Sequence, residues 1–259
     1  MRSQWAAKRK LVYGTTTFVF LAVLIGVPLF FFLHKTPTCF DGVKNQNEKG
    51  VDCGGICTRL CPSDISAPIV LWQRSFQAST GVYSLVAYIQ NPNVLSRVDN
   101  VGYVFRLYDK DNAMITERAG RTFLPANQSF AVFEAGVRTG TRVPVRTTFE
   151  FTESPSWSQN LADYKDPTIS AENINLTDGS SPRIDASVHN FSLNMIKTLG
   201  VIAIVYDAED NAITASRTVV EDLKPQSSAA VTFTWPTPFA SPVVRKEIIL
   251  RIYPAGIAI

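Results

Sequence analysis

The chain has 259 residues, of which 46% are hydrophobic and 18% are charged. This length leaves room for two domains of ordinary size beside a membrane segment. The composition excludes wholesale disorder, because disordered chains are poor in hydrophobic residues and rich in charge.

The net charge of +3 originates at the N-terminal end of the chain. Residues 1 to 38 contain five of the 25 Lys and Arg residues and no Asp or Glu, which leaves 20 basic residues against 22 acidic ones in the rest. A nearly neutral remainder gives no electrostatic reason to expect a nucleic-acid partner.

The stretch from Leu11 to Leu33 contains 23 residues and no charged side chain. A helix of that length spans about 34 Å, enough to cross a hydrocarbon core of about 30 Å with some tilt. We therefore predict a transmembrane helix at 11–33, with the lipid bilayer as its partner. A cleaved signal peptide is the alternative, but no small-residue cleavage site follows the run that ends in Phe30-Phe31-Phe32-Leu33.

The basic residues of the tail at 1–10 predict how the span is oriented. Four of them precede the span, namely Arg2, Lys8, Arg9 and Lys10. Because positive flanks stay in the cytoplasm, we predict a single-pass protein of the cell membrane with a cytoplasmic N-terminus and an extracytoplasmic C-terminus.

All four cysteines lie in a short segment at 36–64, directly after the predicted span. They are Cys39, Cys53, Cys57 and Cys61. An even number of cysteines in a small loop-rich segment on the oxidising side of a membrane favours two disulfides, and the sequence leaves three pairings open. Zinc or an iron-sulfur cluster is the alternative, although the spacing matches neither the paired pattern of zinc ribbons nor a ferredoxin.

Oxygen-bearing side chains are dense between the first two cysteines. They are Asp41, Asn45, Asn47, Glu48 and Asp52. Such a set would suit a hard cation, so weak calcium binding is one hypothesis, but Val43 and Gln46 occupy positions at which an EF-hand loop needs an oxygen and a glycine. We favour the other interpretation, in which these side chains cap turns around nearby glycines, and expect no other cofactor.

The pattern D-G-x-x-N-x-x-E-x-G-V-D-C-G-G-x-C over this segment resembles a cysteine-rich segment of exported and surface-attached bacterial proteins. The resemblance covers about twenty residues and implies a bacterial envelope setting, with no chemistry attached.

Beyond Pro62 the chain repeats itself with a constant offset of 98 to 99 residues. Leu85 to Asn91 matches Ile184 to Asn190, and Tyr108-Asp109 with Asn112 matches Tyr206-Asp207 with Asn211. The repeat predicts two homologous domains at 65–152 and 168–259. They are separated by a polar, proline-containing linker at 153–167, in which Trp157 is a candidate contact between the domains or with a partner.

Period-two alternation in both copies predicts half-buried strands. Ile184, Ala186 and Val188 alternate with polar residues, and a later strand of the first copy has its core face at Val101, Tyr103, Phe105 and Leu107. Regular turn signals between short strands predict a mainly β protein with two tandem immunoglobulin-like β-sandwiches of about seven strands each. In the turns, Asp109 would open a hairpin and Asn112 would adopt a left-handed conformation.

The run Phe105-Arg-Leu-Tyr-Asp109 resembles the signature of the bacterial exported FxLYD-type domains, and the second copy departs from it with Ala203 and Val205. Asn91-Pro-Asn93 is similar to the start of the water-stress and hypersensitive-response β-sandwich family. Both resemblances imply β-sandwiches with poorly defined functions, and the first also implies export.

Groups able to catalyse are scarce. The chain has two histidines, His34 and His189, and His189 shares the polar face of a predicted strand with Asp185 and Ser187. Residues in one row of a strand form a surface far more often than a catalytic triad, so we predict no catalytic residues and no enzyme.

These observations favour a membrane-anchored, extracytoplasmic, non-catalytic scaffold or binding protein that presents two β-sandwich modules. Its partner would be an envelope or surface protein or a glycan. The alternative is an accessory subunit of a membrane or envelope complex, and a hydrolase is a distant third.

Overall fold

The computed structural model of the protein describes residues 2–33, 38–94, 96–159 and 168–254. The chain divides into two compact units at 1–57 and 58–259, which are described separately below. The fold is mainly β, as predicted from the alternation and the turn signals.

The N-terminal unit begins with the helix α1 (Arg2–Leu33), which already includes the basic tail that we had placed outside the helix. Its segment Arg9–Phe30 is long and apolar enough to cross a membrane or to act as a signal sequence, and none of its side chains is buried by the protein. The hydroxyls of Thr15, Thr16 and Thr17 donate hydrogen bonds to carbonyls three or four residues earlier in the helix. This bonding satisfies polar groups that a lipid environment could not.

The cysteine segment is a loop-rich fold held by disulfides, as predicted. Cys39 is bonded to Cys57, and Cys53 and Cys61 are also disulfide-bonded. Tight turns bring the first pair together, and several of them require a positive φ, which Gly54 and Gly55 adopt without a Cβ penalty.

The first sandwich consists of two antiparallel sheets. One sheet has the order β1-β2-β5, and the other has the order β4-β3-β6 with β7 added to β3. The strands are β1 (Ile69–Ser79), β2 (Val82–Asn91), β3 (Ser96–Tyr108), β4 (Met114–Leu124), β5 (Gln128–Arg138), β6 (Arg146–Phe151) and the short β7 (Ser158–Gln159).

The second sandwich has six described strands, arranged in the same way, where the sequence predicted about seven. One sheet has the order β8-β9-β12 and the other β11-β10-β13, so each strand occupies the place of its counterpart in the first sandwich. The strands are β8 (Ile169–Thr177), β9 (Arg183–Asn190), β10 (Ile196–Tyr206), β11 (Ala212–Leu223), β12 (Ser227–Thr234) and β13 (Arg245–Ile252).

Each sandwich has its own apolar core between its sheets, and the alternation in the sequence identified the buried faces correctly. Val101, Tyr103, Phe105 and Leu107 belong to the first core. Ile184, Ala186 and Val188 belong to the second core.

A buried asparagine ties two loops together at one end of each sandwich. Asn91 donates hydrogen bonds to the carbonyls of Ser96 and Pro125, at 2.8 and 2.7 Å. Asn190, fully buried at the equivalent place, donates to the carbonyls of Asn194, Leu223 and Lys224. These bonds satisfy loop carbonyls that strand pairing leaves free.

The linker between the sandwiches is described only as far as Gln159, and residues 160–167 lie outside the described part of the chain. Trp157, a candidate contact between the two domains, packs instead against the core of the first sandwich. Its carbonyl accepts a hydrogen bond from the amide of Leu60, and Ser158 forms a β-bridge with Arg59. The packing of Trp157 fastens the start of the linker to the first sandwich, and the contacts with Leu60 and Arg59 tie it to the end of the cysteine segment.

Candidate binding site between the sandwiches

The two sandwiches pack face to face through a third apolar cluster, which we call the sandwich interface. The first sandwich contributes the outer face of its β1-β2-β5 sheet, and the second contributes the outer face of β11-β10-β13. The buried members of the interface are Phe76, Val86, Ala131 and Phe133 from the first sandwich, and Ile202, Ile204, Tyr206, Ala212, Ala215 and Ile249 from the second. Burial of these side chains joins the sandwiches into one body.

Hydrogen bonds at the edge of the apolar cluster fix how the sheets face each other. Glu247 accepts from the hydroxyls of Tyr88 and Tyr206, at 2.7 and 2.8 Å, and so links both sandwiches. Burial raises the pKa of both tyrosines, and their hydrogen bonds to Glu247 raise it further. Arg74 also crosses the interface and donates to the carbonyl of Ala212 at 2.8 Å. Such bonds restrict sliding of one sheet over the other.

Arg251 on β13 is the most deeply buried cation of the interface, with 3% of its surface exposed. Its terminal nitrogens donate to the carbonyls of Ala131 and Phe123, both at 2.9 Å, and to the hydroxyl of Thr122 at 3.1 Å. Burial lowers the pKa of its guanidinium, because desolvation penalises the charged form. The second sandwich thus inserts a positive charge into the first.

Two clefts open beside Arg251 between the sandwiches. The larger, of about 540 Å³, runs between the start of β5 and strands β8 and β13. The smaller, of about 320 Å³, lies between β4 and β5 on one side and β11 and β13 on the other, and we call it the arginine cleft. Its charged lining residues are Arg118, Arg121, Glu134, Arg217 and Arg251.

The predicted calcium ligands lie near one another in the cysteine segment, but most of their oxygens already accept hydrogen bonds. Asp52 accepts from the amides of Asp41 and Gly42, at 2.9 to 3.1 Å. Asp41 accepts from the amides of Thr38 and Val43 and from the side-chain amide of Asn45. This geometry supports the interpretation in which the side chains cap turns, and calcium binding stays a prediction.

Glu48 is the buried member of that set, with 5% of its surface exposed. Its Oε2 accepts from the amides of Asn45 and Asp52, at 3.3 and 3.1 Å. Its Oε1 lies 3.2 Å from Sγ of Cys57, but that sulfur belongs to a disulfide and has no proton to donate. Because Cys39 and Cys57 are oxidised, they offer no thiolate to a metal beside Glu48.

The polar row that contains His189 is not assembled as a triad. Nδ1 of His189 lies 3.0 Å from the hydroxyl of Ser228, whereas Asp185 accepts hydrogen bonds from Arg183 and Thr232. The pKa of the Asp185 carboxyl is lowered, first because Arg183 donates to it. His189 and Asp185 therefore bond to separate local partners on the outer face of the β8-β9-β12 sheet.

The Tyr-Asp turn proves to be a structural device in both sandwiches. Asp109 opens the first turn by accepting from the amides of Asp111 and Ala113, and Asn112 has a φ of 58°. In the second turn, Asp207 accepts from the amides of Glu209 and Asn211. The residue with positive φ there is Asp210 at 59°, so the match of Asn112 with Asn211 was wrong by one position.

An arginine at the start of β6 clamps the first of these turns, and an arginine at the start of β13 clamps the second. Arg146 lies over the ring of Tyr108, with its guanidinium carbon 3.9 Å from the ring centroid, and donates to Asn112. Arg245 lies 3.5 Å from the ring centroid of Tyr206 and donates to Asp210. The tyrosine of the F-x-L-Y-D run is thus one side of a cation-π clamp.

The sandwich interface and its arginines were not predicted from the sequence. One signal was present, because Val86 and Tyr88 make β2 apolar on both faces, which is typical of a strand buried on both sides. Arg251 gave no such signal, since an arginine on the polar side of an alternating strand is expected to face water.

Comparisons with known proteins do not identify the chain. No protein-family model matches it, and no curated protein matches it either. A red sea bream transglutaminase structure is 9% identical with a TM-score of 0.24, and the match covers 67% of this chain and 27% of that one. A Bacteroides uniformis β-glucuronidase structure is 14% identical with a TM-score of 0.22, and the match covers 68% and 26% of the two chains.

A glycosyl hydrolase family 2 member from Bacteroides cellulosilyticus is 10% identical with a TM-score of 0.23, and the match covers 71% of this chain and 30% of that one. The match therefore spans less than a third of each of these three solved chains. Likeness at this level carries no argument about the activity of this protein.

Proposed function

We propose that the protein is a single-pass membrane protein whose two fused β-sandwiches act outside the cytoplasm as a non-catalytic scaffold or binding body. The observation that carries this proposal is the order of features along the chain. A charge-free helical segment preceded by basic residues is followed directly by four disulfide-bonded cysteines and then by the sandwiches. Disulfides persist on the oxidising side of a membrane, and basic flanks stay on the cytoplasmic side.

The sandwich interface supports the binding role. A buried apolar cluster and the bonds of Arg251 hold the two modules in one fixed arrangement. Preorganised surfaces bind with a smaller entropic cost than flexible ones. We also propose that the protein belongs to a bacterial envelope and that its two modules arose by duplication. These two parts of the proposal rest on the sequence motifs.

The orientation can be tested by labelling single introduced cysteines in the full chain, because its native cysteines are in disulfides and do not react. Ser180→Cys places a thiol in an exposed loop of the second sandwich, and Ser3→Cys places one in the basic tail, at the N-terminal end of α1. We expect a membrane-impermeant maleimide to label Ser180→Cys on intact cells, and to label Ser3→Cys only after permeabilisation.

The opposite labelling pattern would overturn the orientation. The mass of the membrane-extracted protein provides the second readout, since cleavage of the helix as a signal sequence would remove the residue-3 thiol altogether.

A further inference from the structure

The arginine cleft brings more positive charge together than the protein itself neutralises. It is bounded by both sandwiches and encloses about 320 Å³, which lies at the lower end of the sizes of small-molecule sites. Four of its lining side chains are arginines, and its one lining carboxylate belongs to Glu134. The balance of charge inside it therefore depends on how each arginine is paired.

Two of the four arginines have carboxylate partners. Arg118 donates through Nε to Glu134 at 3.0 Å, and the same carboxylate accepts from the hydroxyl of Tyr103 at 2.6 Å. Arg121 donates to Glu153 at 2.8 Å, and the pKa of Glu153 is lowered because it accepts from the amide of Gly102 and from Arg121. These pairs neutralise one wall of the cleft.

The other two arginines come from the second sandwich and meet no carboxylate among the described residues. Arg217 donates to the carbonyl of Phe133 at 3.1 Å and lies over the ring of the same residue. Arg251 donates to two carbonyls and a hydroxyl, and its Nε is buried without a hydrogen-bond partner. Neutral acceptors orient these guanidiniums but leave two positive charges uncompensated.

Uncompensated charge in a buried place costs free energy, which an anion of matching shape would recover. Guanidinium groups suit carboxylate and phosphate oxygens, because their N–H donors form a planar fork. Arg217 is half-buried and offers donors at the surface of the cleft, whereas Arg251 is fixed behind it by three bonds. The site thus combines Arg217, which a ligand in the cleft can contact, with Arg251, which is held in place by the protein.

We propose that the arginine cleft binds a small oxyanion-bearing ligand, with Arg217 as its main contact and Arg251 as the fixed source of positive potential. The ligand group is a carboxylate or a phosphate, which share the recognising chemistry. This assignment names the ligand class for the binding role proposed above and rests on that role, but the binding can be measured whatever the orientation in the membrane.

Calorimetric titration of the purified full chain in detergent, at constant ionic strength with chloride as the background salt, tests the proposal. Inorganic phosphate and malonate are the probes, and they distinguish the two sources of oxyanion. We expect saturable binding of at least one of them that weakens about tenfold or more in Arg217→Ala, since this variant loses the charge-assisted hydrogen bonds to the ligand.

The matched control is Arg183→Ala, which removes an exposed arginine paired with Asp185 on the β8-β9-β12 sheet. Its affinity should equal that of the unmodified chain. If Arg217→Ala fails to fold by circular dichroism, Arg217→Gln takes its place. Absence of binding by both probes, or equal binding by the Arg217 variant, would overturn the proposal, while a failed labelling pattern would overturn the membrane orientation alone.

Discussion

The outer faces of the two sandwiches differ at equivalent positions, although the strand order is the same. In the first sandwich, Arg106 on β3 forms ion pairs with Glu117 and Glu150 on the solvent side of the β4-β3-β6 sheet. In the second, the equivalent places on β10 and β11 are held by Ile204 and Ala215, which pair in the same register.

For the other pair of equivalent sheets, β1-β2-β5 and β8-β9-β12, the apolar outer face lies in the first sandwich and the polar one in the second. Val86 and Phe133 pair across β2 and β5 and are buried in the sandwich interface, whereas Asp185 and Thr232 pair at the equivalent place in the second sandwich and hydrogen-bond on its surface. One fold therefore carries two kinds of outer face. The apolar residues on the inner faces of the strands determine that a sandwich forms. The residues on the outer faces determine which sheets become buried against each other.

The largest effect on stability is expected when the residues at one pair of equivalent positions, 106 and 204, are exchanged. Ile204→Arg places an unpaired charge in the interface, and we expect the free energy of unfolding to fall by about 3 to 5 kcal/mol. The reverse change, Arg106→Ile, removes only exposed ion pairs and should cost less than about 1 kcal/mol. Urea denaturation of the full chain in detergent, followed by tryptophan fluorescence, measures both. Equal effects of the two variants would contradict the interface.

Replacing the buried cation should have the next largest effect. Arg251→Met keeps most of the volume but leaves two carbonyls and the hydroxyl of Thr122 without their donor. We expect a loss of about 2 to 4 kcal/mol in the same denaturation experiment, and a smaller loss for Arg251→Lys, which retains N–H donors for these acceptors. A methionine variant as stable as the unmodified chain would show that the three bonds contribute nothing net.

The buried asparagines allow a comparison in which the sandwiches should behave alike. Asn91→Ala and Asn190→Ala each remove an amide that bonds several loop groups, so we expect each to cost about 2 to 3 kcal/mol. Asn175→Ala, at an exposed position of β8, is the control and should change stability by less than about 0.5 kcal/mol. A large difference between the two buried sites would mean that the loops are not equivalent.

The smallest expected effect is on stability at acid pH, through the pKa of Asp109. The pKa of Asp109 is lowered, first because Arg142 donates to its carboxylate and then because the amide of Ala113 does. A lowered folded-state pKa stabilises the fold above the unfolded-state pKa, and this contribution is lost as the pH falls through the lower value. Arg142→Ala should raise the pKa of Asp109 toward 3.8, which an NMR titration of its carboxyl carbon would detect. An unchanged pKa would assign the shift to the backbone bonds alone.

The sequence by itself determined the elements that depend on local pattern. The charge-free run predicted α1, the even cysteine set predicted disulfides, and period-two alternation predicted the buried faces of β3 and β9. Each of these signals lies within one short segment, since helix length, cysteine count and side-chain alternation are local properties of a chain.

Only the tertiary structure decided that the two sandwiches pack face to face and that four arginines surround one cleft. Arg121 and Arg251 are 130 residues apart in the chain yet line the same cleft, and a pattern within one strand carries no information about such a partner. Burial of Arg251 depends on carbonyls of another domain, which accept its hydrogen bonds only after both sheets have formed and docked. The physical reason is that the outer face of a strand is buried or exposed according to what packs on it, which its own sequence does not specify.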